Sequence, residues 1–347
     1  MRHLLIDYDS TIPNLALMKI SAWAKAKGDA VYLNEMDDIM GGPDFVWLSA
    51  IFTWHRKRAM DAIGMFHFRY PNAVIHYGGT CFDWGRIGNR IQLPVEIEIM
   101  PPDYALYNDD RAVGFCQRGC NRKCGFCDVW KKEGRIADNR YVPLREWVPE
   151  TFKKVLLLDN DLALVERWKH DQVLRDAMDM GLKLSITQGY DIRTLALYGD
   201  GPERAALLAE KKPYDTKFKE RMLYTAWDMK EYEPMVRKGI EILQDAGFKG
   251  REITCYVLVG FDHRKKKPRP YRADDDLYRV EVLWKDYHVL PYVMAYNNDK
   301  SDPSIRALVR YANKRWLISS MDFRDYDRNP EYRSQKRNAR SVPFSVS

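Results

Sequence analysis

The chain has 347 residues, of which 46% are hydrophobic, 13% aromatic and 30% charged. That apolar share supports a buried core, and the length suggests about two domains. No apolar run reaches the ~18 residues that cross a bilayer. The start of the chain meets acidic residues soon after one short apolar run, so no signal peptide is expected, and the aromatic content argues against extended disorder. A soluble, cytoplasmic globular protein is the expectation.

Residues 1–95 alternate short apolar runs with amphipathic stretches. Strands are predicted at 4–6, 30–33, 45–51 and 73–77, and helices at 12–27 and 54–69. Alternation at this spacing predicts a small α/β domain with a parallel sheet covered on both faces. Prolines mark 96–111 as a linker. From 112 to 315 the alternation restarts, with strands at 112–116, 154–158, 183–187, 221–225, 252–259 and 291–295 and helices at 168–180, 235–246 and 275–285. Six βα units predict a partial barrel rather than an eight-fold one. Residues 316–347 form a basic tail with Arg324, Arg328, Arg333, Lys336, Arg337 and Arg340, diluted by Asp325, Asp327 and Glu331.

The net charge of +7 is unevenly placed. The run His263-Arg-Lys-Lys-Lys-Pro-Arg-Pro-Tyr-Arg272 holds six cations and no acid, so the rest of the chain carries only +1. Such a run is either a solvated loop or a local patch for phosphate groups. Because it follows the fifth barrel strand, it is expected at the face where parallel βα folds build their sites. Lys265, Lys266, Lys267, Arg269 and Arg272 are its candidate polyanion contacts, with Tyr271 available to stack on a base.

The six cysteines are Cys81, Cys116, Cys120, Cys124, Cys127 and Cys255. Four of them crowd into Phe115-Cys-Gln-Arg-Gly-Cys-Asn-Arg-Lys-Cys-Gly-Phe-Cys-Asp128, directly after a strand. Crowding of this kind reads as metal or redox chemistry rather than a disulfide framework. Cys120, Cys124 and Cys127 form C-x3-C-x2-C, and three thiolates so close can ligate three irons of one [4Fe–4S] cluster. Gly119 and Gly125 let the loop wrap a bulky group, and Arg118, Arg122 and Lys123 would offset its negative charge. A four-cysteine zinc site that includes Cys116 is the competing reading.

This triplet, with an aromatic residue before its last cysteine and six βα units opening on it, resembles the radical SAM superfamily over residues 110–315. The resemblance implies a [4Fe–4S] cluster whose open iron chelates S-adenosylmethionine. It implies reductive cleavage to methionine and a 5′-deoxyadenosyl radical that abstracts hydrogen from substrate. It further implies an external one-electron donor such as flavodoxin or ferredoxin. By the same resemblance Phe126 meets the adenine, and Asp159, Asn160 and Asp161 stand where the superfamily usually has Gly-Gly-Glu for the methionyl amino group. An acidic cap after a strand is the structural alternative for those three. Gln188, Asp191 and Arg193 follow the third strand and would face SAM or substrate, while Gly260 closes the fifth and would contact adenine. Cys255, Tyr224 and Asp191 are weak catalytic candidates, as donors or relays, and Trp227 is a further one; packing is the alternative for an aromatic or cysteine on a core strand.

A small α/β domain before such a barrel is similar to the cobalamin-binding modules of several subfamilies. Their Asp-x-His-x-x-Gly motif is absent: Asp7-Tyr8-Asp9-Ser10-Thr11 has no histidine. Ser49 and Gly78-Gly79 suit the fold, but cobalamin itself is not expected. No cysteine follows Cys255, which disfavours classes with a second cluster. The layout is also similar to radical SAM proteins of bacteria and bacteriophages. In phages such enzymes are implicated in thymine hypermodification in DNA, for example by isomerising an amino-acid adduct on the base. The expected function is therefore hydrogen abstraction from a nucleic acid or nucleotide. A peptide or small-metabolite substrate, and a non-catalytic iron–sulfur or zinc protein that binds nucleic acid, are the alternatives.

Overall fold

A computed structural model describes all residues except 38, 84–91, 138–140, 327 and 329–347. Arg333, Lys336, Arg337 and Arg340 of the tail therefore lie outside the described residues. The chain is mixed α/β with parallel sheets. Among the described residues no helix is long and apolar enough to cross a membrane.

Packing divides the chain into two compact units. The first holds Met1–Asn121, Asp128–Leu158 and Asp179–Leu182; the second holds Arg122–Cys127, Asp159–Met178 and Lys183–Ser347. This division differs from boundaries at 95 and 112, because the chain crosses between units several times, twice within the cysteine segment itself.

In the first unit, β1 (Arg2–Asp7), β2 (Ala30–Leu33), β3 (Phe45–Ser49) and β4 (Val74–Gly78) form one sheet in the order β2-β1-β3-β4. Every pairing is parallel. Leu4 and Leu5 are fully buried on opposite faces of β1, in two separate core clusters. A continuous apolar run rather than an alternating one is what burial on both faces demands. Helix α1 (Leu15–Ala26) starts where the Asn14 side chain accepts the Leu17 N–H at 3.3 Å, a cap worth about 1 kcal/mol. It covers one face with Leu17 and Ile20, while α2 (Arg56–Arg69) covers the other with Ala59, Ile63 and Phe66.

The predicted linker 96–111 is structured within this unit. Ile97 is buried beside Leu17 and Ile20. Asp103 accepts hydrogen bonds from Ser21 (2.6 Å) and Lys25 (2.7 Å), and the Tyr107 hydroxyl donates to Asp7 at 2.6 Å. Strands β5 (Arg111–Gly114) and β6 (Lys154–Leu157) then pair in parallel.

The second unit contains β7 (Lys183–Ile186) and a parallel sheet of β8 (Leu223–Ala226), β9 (Ile253–Val259) and β12 (Leu290–Ala295), with β9 in the middle. Burial alternates strictly along β9, the period-2 signature of a strand with unlike faces. Between β9 and β12 the chain turns through an antiparallel hairpin, β10 (Phe261–Asp262) and β11 (Lys267–Pro268). The basic run is thus partly a hairpin, closed by the Asp262 carboxylate accepting the N–H groups of Arg264 and Lys265, each at 3.0 Å. The helix predicted at 275–285 is a wide-turned segment from Ala273 to Asp286 with one α-helical turn in its middle, Tyr278–Glu281.

Candidate active site

The second unit gathers its polar residues on the loops that leave β7, β8 and β9 at their C-terminal ends. Asp191, five residues past β7, is the hub. Arg193 forks onto it with Nε–Oδ1 2.7 Å and Nη2–Oδ2 2.8 Å, and Arg122 of the cysteine segment donates to Oδ2 at 2.8 Å. The forked arrangement fixes orientation as well as charge. Arg193 also lies over the Tyr232 ring, 4.3 Å from its centroid.

Asp161 Oδ1 accepts the N–H groups of Ala163 (3.0 Å) and Asp191 (3.2 Å). It caps the short turn Leu162–Leu164 and ties that loop to the next. Burial raises its carboxyl well above the usual range, and the charge of Asp191 adds to the shift. Asp159 is buried, whereas Gln188 is exposed. At Asp228, two residues past β8, desolvation pushes the carboxyl up to about 6 against the pull of Arg279 and Arg193, with Asp191 adding to the rise.

The cysteine segment meets the same loops. Phe126 stands edge-on to Phe261 (6.1 Å, 74°) and to His263 (5.5 Å, 89°), and His263 Nε2 is 3.0 Å from the Asp228 carbonyl oxygen. A Cβ added at Gly125 would lie 3.4 Å from Lys266 Cγ, so the basic hairpin runs directly over this loop. Beside Gly260 a cleft of about 560 Å³ is lined by Arg269, Tyr296, Asn297, Asp302 and Ile305.

None of the six cysteines forms a disulfide, and Cys120, Cys124 and Cys127 are half-exposed. Cys124 and Cys127 share one turn, with the Cys127 N–H donating to the Cys124 carbonyl at 3.1 Å. Burial pushes the Cys124 thiol up to about 11, and Asp228 and Cys127 add to the rise, so a metal group bound here must displace its proton. In the first unit Cys120 donates its N–H to Gly134 at 3.0 Å, and Gly119 (φ +101°) presses against the Arg135 backbone. Cys116 is buried. Half-exposed thiols at this spacing fit an iron–sulfur group in kind. Among the described residues, no three His, Cys, Asp or Glu side chains already converge on one point as a mononuclear metal site would require.

Several candidates have other places. Arg269 is not a rim cation: it is almost fully buried in ion pairs with Asp275 and Asp276, both at 2.7 Å. Lys265, Lys266, Lys267 and Arg272 remain exposed. Cys255 is fully buried on the face of β9 opposite Tyr256, and its thiol is pushed far up by burial, which makes it a core residue. Tyr224 lies on the half-exposed face, stacked on Tyr256 at 5.8 Å. Trp227 is wholly buried, its indole N–H donating to the Met229 carbonyl at 2.7 Å. Arg118 covers the Phe115 ring and pairs with Glu98 and Glu133, and Arg122 is engaged by Asp191, so neither is a spare counter-charge.

Asp228, His263 and Tyr232 were not among the sequence candidates. Asp228 had a usable signal, a carboxylate just past a predicted strand end. His263 was visible only as the first residue of a basic run. No protein-family model and no curated protein matches this chain.

Proposed function

We propose that this chain is a radical SAM enzyme acting on nucleic acid. Cys120, Cys124 and Cys127 would hold a [4Fe–4S] cluster. When bound, that cluster supplies the electron that cleaves S-adenosylmethionine to methionine and a 5′-deoxyadenosyl radical able to take hydrogen from substrate. The chain's own residues do the rest. Asp191, occupied by two guanidinium groups, anchors the cysteine segment instead of accepting protons. Gln188 is an exposed polar group on the same loop, available to a ligand's polar end. Phe126, Phe261 and His263 form an aromatic wall that keeps water from one side of the segment. Lys265, Lys266 and Lys267 present unburied charge to phosphates.

One observation carries the reading: the segment with Cys124 and Cys127 packs on the loops at the C-terminal ends of β7 and β9, through Arg122 on Asp191 and Phe126 on Phe261 and His263. Parallel βα folds build their active sites at that end. The test is anaerobic reconstitution with iron and sulfide, then measurement of 5′-deoxyadenosine and binding of a single-stranded oligonucleotide. The expected result is SAM cleavage, and oligonucleotide binding that weakens when Lys265, Lys266 and Lys267 are changed together to Ala. The salt slope should fall by ~0.7–0.9 for each phosphate that the variant no longer neutralises. A reconstituted protein that holds iron and sulfide yet leaves SAM intact would overturn the enzymatic reading. Mass spectrometry of nucleosides from cells with and without the gene then identifies the modified base.

A further inference from the structure

Helix α2 and the turn before it, in the first unit, have no part in the chemistry proposed above. The inner side of α2 is spent on the core through Ala59, Ile63 and Phe66. Its outer side mixes two kinds of residue. Arg56, Lys57 and Arg58 are exposed and, among the described residues, enter no ion pair; by helical spacing Lys57 and Arg58 fall on the outer side, and Arg56 turns to a flank. Beside them Phe68 is 90% and Met65 48% exposed, and Trp54 in the preceding turn is 45% exposed. Trp54 is not loose: its ring stacks on Phe52 at 4.7 Å and 19°. Asp61 is the one exposed acid on the helix, and Arg69 is paired with Asp37.

We propose that this face binds single-stranded nucleic acid, an inference that rests on the nucleic-acid reading and adds a docking surface to it. Exposed cations interleaved with exposed aromatic rings are what a strand of alternating phosphates and unpaired bases requires. Trp54, braced by Phe52, offers a preformed stacking platform. Phe68 lies roughly 15 Å along α2 from Arg58 by helical rise, a span of a few nucleotides. Two other occupants fit less well. A membrane-surface helix separates its cations from its apolar residues on different faces, whereas here Lys57 and Arg58 lie on the side of Met65 and Phe68, with Asp61 among them. A second copy of the helix would bring Lys57 and Arg58 against like charges if parallel, and against the cationic end at Arg69 if antiparallel.

The test uses the full chain, a labelled mixed-sequence single-stranded DNA and fluorescence anisotropy at several salt concentrations. Trp54→Leu should weaken binding by about 5- to 100-fold, the loss expected for one stacked base. Lys57→Glu with Arg58→Glu should lower the salt slope by ~0.7 for each phosphate the pair had neutralised. Phe68→Ser, at a position that touches almost nothing, guards against a folding artefact and should also weaken binding while the circular dichroism spectrum is unchanged. Wild-type binding by all three variants, with binding abolished in the Lys265, Lys266 and Lys267 triple variant, overturns the α2 surface and leaves the nucleic-acid reading intact. A wild-type chain that binds no oligonucleotide overturns both. Binding to phosphatidylcholine–phosphatidylserine vesicles in its place would assign the face to a membrane.

Discussion

Arg122 reaches from between two cysteines of the clustered motif to Asp191, 69 residues later, and closes an ion pair at 2.8 Å. The carboxylate is almost buried, and Arg193 holds its other side. This ion pair fixes the cysteine segment against the end of β7. An amide in its place keeps one acceptor oxygen, loses the other and removes the charge that strengthens both arginines' hydrogen bonds.

Asp191→Asn should therefore destabilise the chain by about 1.5–3 kcal/mol, the range for hydrogen bonds to a charged group. Urea unfolding of the metal-free protein measures it. A change below about 0.5 kcal/mol, the scale of an exposed pair, would mean that Arg122 and Asp191 form only a surface ion pair.

Cys120→Ala, Cys124→Ala or Cys127→Ala should each abolish iron–sulfur absorbance and SAM cleavage, while Cys116→Ala, at a buried position, should keep both. Loss of iron in the Cys116 variant would return the four-cysteine site.

Asp228→Asn should lower the Cys124 thiol pKa from about 11, because a negative neighbour that disfavours the thiolate is gone. Alkylation of Cys124 in the metal-free protein, followed by peptide mapping at about pH 8, within reach of an ordinary thiol's titration, should be faster in the variant. An unchanged rate would show that burial alone sets the thiol.

Gly119→Ala should hinder formation of the cysteine loop. The backbone sits at φ +101°, and the added Cβ would come within 2.5 Å of the Arg135 carbonyl oxygen. Strain of about 1–3 kcal/mol is expected. Iron incorporated per chain on reconstitution should drop, and full incorporation would show that the loop adapts freely.

His170 is fully buried between Asp171 (2.9 Å from Nδ1) and the Tyr190 hydroxyl (3.3 Å from Nε2). Burial lowers its pKa, opposed by Asp171 and aided by Arg204. The unfolded chain then takes up a proton below about pH 6.5 that the folded chain refuses. Stability should fall as pH drops below that value, by up to about 1.4 kcal/mol per pH unit from this group. His170→Gln should flatten the pH dependence of the melting temperature between about pH 7 and 5, the span in which an unperturbed histidine titrates. An equal slope in both proteins would assign the acid sensitivity elsewhere.

The α/β character and the strand positions were legible in local pattern. Leu4-Leu5-Ile6 states its burial within a few residues, since a short continuous apolar run needs no distant partner to be read. The cysteine spacing was legible for the same reason. What local pattern could not state was pairing across the chain. Arg269 and Lys267 stand two apart in one basic run, yet Arg269 is buried by Asp275 and Asp276 while Lys267 is exposed. Likewise, any strand sends Cys255 and Tyr256 to opposite faces, but only the packing decided that Cys255 has the buried one. Tertiary structure also set Asp228 beside Arg193 and Cys124, because electrostatic neighbours are chosen by distance in space, which the order of residues along the chain does not encode.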